Sequence, residues 1–338
     1  MGAFDRNRRV SLLSGQTTRR RVLLALAAAG IAAPRTNPAR PADRRVHRVG
    51  WLHLGKAWDL GQFRRPLAEL GWIEDRNIAI EPRFADNDEE RLSALAAELT
   101  QLPVDVIVTQ TTVAAVAASR ATATVPIVMA GSSNPVKLGI VHSLARPGGN
   151  VTGVTNNPGV GFITKMAQLL KEAAPRMARL AILARGVESD VWVEIESSAP
   201  RLAFTVVNAQ ANTHDEVPDA LAAALRAGAD SVFAPPNPIN DAQRKAIVEF
   251  ALANRWPAIG GDRYFVAAGG LMSYWADWVT IRRQAASYVD QILRGANPAE
   301  MPIEQPTKLE LVLNLRTAAA IGLTIPQAVR LRADELIG

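Results

Sequence analysis

The side chains in this chain that are best placed to touch a ligand are hydroxyls and amides, not thiols or metal-binding histidines. There is no cysteine, which removes thiolate nucleophiles, Cys-ligated zinc, iron–sulfur clusters, disulfides and a lipid-modified cysteine. The four histidines, His47, His53, His142 and His214, lie too far apart for metal-ligand spacing, so no metal site is expected. No Gly-x-Ser-x-Gly elbow, Walker A sequence or Gly-x-Gly-x-x-Gly fingerprint occurs, and Gly159-Val160-Gly161 is only a fragment of the last. No catalytic residue and no cofactor is therefore assigned. What recurs are small polar groups in loops: Thr111-Thr112, Ser132-Ser133, Asn156 and Asn237, with one carboxylate, Asp262. Such groups hold and orient a small molecule better than they perform acid–base chemistry on it.

Those residues follow short β-branched runs, and the runs explain their placement. Val46–Leu54, Asn77–Arg83, Val104–Thr109, Pro126–Ala130 and Val151–Thr155 read as strands separated by helical periods. Asn87-x-x-Glu90 has the spacing of a capping box, and Val136–Leu144 reads as a helix. The alternation restarts at Phe162 and ends in a tail with an extended run, Lys308–Leu313, and one or two helices. Repeated β–α alternation predicts parallel sheets with right-handed crossovers. The fold class expected is α/β, with two doubly wound parallel-sheet lobes. Ligands in such sheets bind beyond the carboxyl ends of the strands. The loops at 53–59, 110–112, 131–135, 156–158, 235–240, 261–265 and 275–277 are therefore the candidates.

Charge is divided along the chain. Residues 1–45 hold ten arginines and two aspartates, whereas the other 293 residues hold 28 basic and 30 acidic side chains. The basic character belongs to the leader, so no nucleic-acid partner is expected. Val22–Ala33 is an apolar run of 12 residues. It spans about 18 Å, well short of a bilayer core of about 30 Å, and suits a signal-peptide core. Thr18-Arg19-Arg20-Arg21-Val22-Leu23-Leu24 resembles a twin-arginine export signal. The expectation is a leader and linker over 1–45, followed by a periplasmic body that is not lipid-anchored.

Several segments, in order, resemble one family. They are Gly71-Trp72-Ile73-Glu74-Asp75-Arg76-Asn77-Ile78, Val104–Thr109 with its Ala-rich helix, and Leu144-Ala145-Arg146-Pro147-Gly148-Gly149-Asn150-Val151-Thr152-Gly153. Ala268-Gly269-Gly270-Leu271-Met272-Ser273-Tyr274, Leu293-Arg294-Gly295-Ala296-Asn297-Pro298, Pro302–Lys308 and Gly322–Pro326 complete the set. The body resembles the ABC-transporter substrate-binding proteins of the type I periplasmic-binding fold, the group with tryptophan- and tyrosine-binding members. The resemblance implies a three-strand hinge near Thr155, Gly270 and Glu304–Thr307. It implies one lobe from 46–156 plus 271–300 and another from 157–270 plus 301–338. It further implies a non-enzymatic receptor that hands a small molecule to an ABC permease and its ATPase, meeting the membrane only through that permease. An amino acid, aromatic by preference, or a related carboxylate is the expected ligand. A sensor feeding a membrane signalling partner would have the same fold and leader.

Within that frame, Thr111 and Thr112 at a helix N-terminus suit a ligand carboxylate. Ser132, Ser133 and Asn156 stand beside them, Asn237 faces from the second lobe, and Asp262 is the natural partner of a ligand ammonium. Trp58, Tyr274 and Trp275 are the aromatic candidates, with Trp275 where the family usually has glycine.

Overall fold

The structure, a computed structural model, describes residues 45–57, 60–184 and 189–338. Trp58 and all but the last residue of the expected leader lie outside these. The first half runs β1 (His47–His53), α1 (Gly61–Glu69), β2 (Ile78–Phe84), α2 (Glu89–Gln101), β3 (Val106–Gln110), α3 (Thr112–Ala121), β4 (Ile127–Ser132) and β5 (Val151–Thr155). Its strands form one sheet in the order β2-β1-β3-β4-β5, every pair parallel. The strands are apolar on both faces because both are covered. Val106 and Val108 join the cluster containing Trp51 and Phe63, whereas Ile107 joins the one containing Leu92, Leu99 and Ala114.

The second half continues with α4 (Phe162–Ala173), β6 (Arg179–Ile182), α5 (Asp190–Ser198), β7 (Thr205–Asn208), α6 (Val217–Arg226), β8 (Ser231–Ala234), α7 (Pro238–Ala242), α8 (Arg244–Ala253), β9 (Ala258–Gly260), α9 (Arg263–Ala267) and β10 (Met272–Ala276). Then come α10 (Trp278–Leu293), β11 (Leu309–Asn314), α11 (Leu315–Ala320), α12 (Gln327–Arg330) and β12 (Glu335–Ile337). The second sheet is ordered β12-β11-β10-β9-β8-β6-β7. Its segment β7-β6-β8-β9-β10 repeats the strand order of the first sheet. The fold is thus α/β with two doubly wound lobes, although β10 and β11 pair antiparallel.

The repeat moves the expected boundary. Residues 272–276 were assigned to the first lobe, but β10 is the fifth strand of the second sheet, paired with β9 and β11. The chain therefore crosses between lobes at Asp277, not at Gly270. Beyond it, α10 packs on β3, β4, β5 and α1. Conversely, α4, which follows β5, packs on β9 and β10. Each lobe thus borrows a helix that follows the other's fifth strand. Residues 301–304 also stay with the first sheet: Thr152 Oγ1 donates to the Met301 carbonyl at 2.8 Å, and Glu304 bridges Val154. The third crossing follows Glu304.

Local expectations changed for identifiable reasons. Asp88, not Asn87, caps α2, accepting from the Glu90 and Arg91 N–H groups at 2.9 and 3.0 Å. Asn87 has φ 71°, off the helical path. The helix expected over 136–144 is a series of turns, with Gly139 at φ 67°. The two helices that follow β8, α7 and α8, meet at Gln243. The tail adds a strand, β12, that its composition did not announce.

Candidate functional site

The carboxyl ends of the first sheet and the loops of the second lobe enclose a cleft of about 610 Å³. Thr111, Thr112, Ser133, Asn156, Asn237 and Asp262 all line it.

The first-lobe wall is a connected set of neutral groups. Thr111 caps α3 with φ 112° and ψ 152°, an uncommon conformation for a residue with a side chain. Such a conformation costs about 1–3 kcal/mol and persists where surrounding structure imposes it. The first N–H groups of α3 have no partner within the helix; Thr111 Oγ1 accepts from that of Ala114, and Thr112 and Val113 line the cleft. Thr112 Oγ1 accepts from the Ser133 N–H at 2.9 Å, which leaves the Thr112 hydroxyl proton to donate elsewhere. Ser133 Oγ donates to Asn156 Oδ1 at 2.7 Å. Ser132 is different: it is fully buried and reaches the Thr111 carbonyl at 3.4 Å, bracing the wall from behind. Successive strand residues face opposite ways, so only one of the serine pair can reach the cleft.

The second-lobe wall is charged. Asn237 caps α7 and donates to the Pro235 carbonyl at 3.3 Å. Asp262 caps α9, accepting from the Phe265 N–H at 3.1 Å. Arg244 stands 3.4 Å from Asp241 and 3.8 Å from Asp262, with its guanidinium 5.8 Å from the centre of the Tyr264 ring. Burial raises the pKa of Asp262 despite Arg244. Burial, then the negative charge of Asp262, pushes Asp241 up to about 7. The Asp241 side chain is still half-exposed to solvent through the open mouth of the cleft. Asp262 faces two arginines, Arg244 and, from α10, Arg282.

The third contributor is α10. Trp278 packs on Gly131, where an added Cβ would lie 2.5 Å from the indole. Arg282 is buried, donates to Gln62 on α1, and lies 5.7 Å from the Trp278 ring centre. Desolvation lowers its pKa, while Tyr264, Asp262 and Asp277 hold its charge.

Tyr274 and Trp275 do not line the cleft. Both sit in β10 under α4, with Phe162 at 5.5 and 5.1 Å from their rings. Trp275 borders a smaller cavity of about 50 Å³ beside the cleft. The expected crossing near Gly270 lies one strand too early, ahead of β10, which belongs to the second sheet. Missed residues are His53, Asn87 and Gln110 on one wall, Asp241, Arg244 and Tyr264 on the other, and Trp278 and Arg282 on α10. His53, Gln110 and Tyr264 fall in the strand-end loops already singled out. Nothing local marks Trp278 and Arg282, whose helix reaches the first lobe by crossing from the second. Among the described residues, no group of three His, Asp or Glu side chains could hold a metal ion, and no helix is long and apolar enough to cross a membrane.

A family profile described as ABC transporter substrate binding protein matches residues 59–337. A tyrosine-binding protein of Clostridioides difficile is 25% identical over 277 residues, covering 81% of this chain and 78% of that one. The crystal structure of a conserved domain protein from Vibrio cholerae O1 biovar El Tor superposes with a TM-score of 0.79 at 25% identity, covering 86% of this chain and 100% of that one. An ABC domain from Streptococcus pneumoniae in complex with L-Trp gives a TM-score of 0.78 at 24% identity, with the same coverage of both chains.

Proposed function

The chain belongs to the ABC transporter substrate binding protein family, and from its cleft we propose a periplasmic receptor that closes on an amino acid, aromatic by preference, for import. The observation that carries this reading is the opposition of the two walls. The N-terminus of α3, with the Thr111 and Thr112 hydroxyls, is suited to a carboxylate. Asp262, assisted by Asp241, is suited to an ammonium. Tyr264 and Trp278 supply flat surfaces between them. Ser133 and Asn156 hold Thr112 in place, and Asn237 orders the loop that faces it.

A ligand spanning both walls makes all its contacts only when the lobes are closed, so its differential affinity favours that state. The closed form then presents itself to the permease and its ATPase. Support for the ligand class comes from relatives named for tyrosine binding and solved with L-Trp. A related small carboxylate is the second choice. The Arg19–Arg21 leader supports export by a twin-arginine route to a free periplasmic state. The test is thermal unfolding of the purified protein against amino acids, aromatic acids, sugars and nucleosides. A ligand at 100 times its Kd stabilises by about 2.7 kcal/mol. A shift with an aromatic amino acid supports the reading. A shift confined to sugars or nucleosides overturns it.

A further inference from the structure

Gln110 ends β3 inside the cleft, is only 7% exposed, and its side-chain Oε1 is buried with no hydrogen-bond partner among the described residues. A buried, unpaired amide is costly, and native structures keep few of them. Beside it stands His53, its register partner across β1 and β3, so both side chains leave the same face of the sheet. His53 Nδ1 lies 2.9 Å from the Gln110 carbonyl oxygen. A carbonyl only accepts, so Nδ1 carries the proton and Nε2 of the neutral ring is an acceptor. Burial lowers the pKa of that ring; the hydrogen bond to the Gln110 carbonyl opposes this and the charge of Arg282 adds to it. Residue 55 is glycine, and a Cβ there would lie 2.9 Å from His53 Nε2, so the missing side chain keeps this acceptor uncovered.

We infer that His53 and Gln110 form a specificity subsite for an uncharged hydroxyl group of the ligand. A hydroxyl has one proton to give, to Gln110 Oε1 or to His53 Nε2, and given to Oε1 it supplies the partner that atom lacks. A carboxylate would face the lone pair of His53 Nε2, and an ammonium would face the positive field of Arg282. A methyl or bare ring edge would leave the Gln110 amide unpaired. The inference rests on the proposed reading of the cleft as a solute site, and it deepens that reading to ligands with a hydroxyl at the end facing β1 and β3.

The test uses matched pairs that differ by one hydroxyl: L-tyrosine against L-phenylalanine, and 4-hydroxybenzoate against benzoate. They are titrated calorimetrically into the full chain and its Gln110→Met and His53→Phe variants. The expected result is a preference of about tenfold for the hydroxylated member of a pair, collapsing to within about twofold in Gln110→Met. A second arm needs no ligand. Gln110→Met replaces an unpaired buried amide by a side chain of similar shape, so the ligand-free protein should melt about 2 °C higher or more. Binding without hydroxyl preference, or a preference that survives Gln110→Met, overturns the subsite. So does a lower melting temperature of that variant. If the native protein binds no member of either pair, the ligand class proposed above falls, and the ligand-free arm alone decides the subsite.

Discussion

The two walls of the cleft come from lobes with the same strand order, yet they are built from opposite chemistry. The first-lobe wall is neutral, and its groups are fixed by one another: Ser133 N–H to Thr112 and Ser133 Oγ to Asn156. The second-lobe wall carries Asp241, Arg244 and Asp262, and both aspartates have raised pKa values. A neutral network is preorganised and loses little when a ligand arrives. Aspartates pushed toward their neutral forms gain from a cation that arrives with the ligand. Under the proposed function, affinity and orientation are divided: the first wall orients the ligand, while the second supplies the charge that draws it.

The division can be broken at four points, taken from the largest expected change in affinity to the smallest. Asp262→Asn keeps a side-chain acceptor for the Phe265 N–H but removes the charge. Losing one partner of a desolvated ion pair costs about 2 kcal/mol or more, so calorimetry should show an amino acid binding about 30-fold more weakly. A des-amino analogue such as 3-phenylpropanoate should not show that loss. Equal loss for both would mean that Asp262 shapes the loop and does not meet the ammonium.

Next is pH. Burial and the charge of Asp262 push Asp241 up to about 7. Affinity for an ammonium ligand should therefore fall up to about tenfold between pH 8 and pH 6, as its carboxylate takes a proton. Stability of the free protein runs the other way. Asp241 binds its proton more readily folded than unfolded, where its pKa is about 4, so its contribution falls as pH rises from about 4 to about 7. Asp241→Asn should flatten both curves. Unchanged slopes would remove Asp241 from the charged wall.

Thr112→Val tests the neutral wall. It takes the acceptor from the Ser133 N–H, at a cost of about 1 kcal/mol, and should weaken binding by about fivefold while leaving the pH slope intact. A changed slope would show that the walls are not independent. The smallest change in affinity belongs to Asn314→Ala, which removes the cap of α11, where Oδ1 accepts from the Thr317 N–H at 3.0 Å. It should cost about 1 kcal/mol of stability by denaturant unfolding, with affinity within about twofold.

The strand-end rule carried much of the site without any structure, because parallel strands must all end on the ligand side. Thr111, Thr112, Ser133, Asn156, Asn237 and Asp262 were legible for that reason. Ser132 was not separable from Ser133 until the facing of the strand was known. Tyr274 and Trp275 were misplaced because the crossing was put one strand too early. Only the repeated strand order shows that β10 completes the second sheet. Arg282 and Trp278 were illegible for a topological reason: α10 follows a second-lobe strand and packs on the first lobe. Asp241 lies inside α7, whose cap is Asn237, so no strand-end rule singles it out.

The central claim is that one ligand engages both walls at once. Hydrogen exchange read by mass spectrometry, with and without a saturating amino acid chosen from the melting panel, tests it directly. The account predicts simultaneous protection of the backbone at 110–113 and 133 in the first lobe and at 237–242 and 262–264 in the second. Protection confined to one wall, or falling outside the cleft, would contradict it.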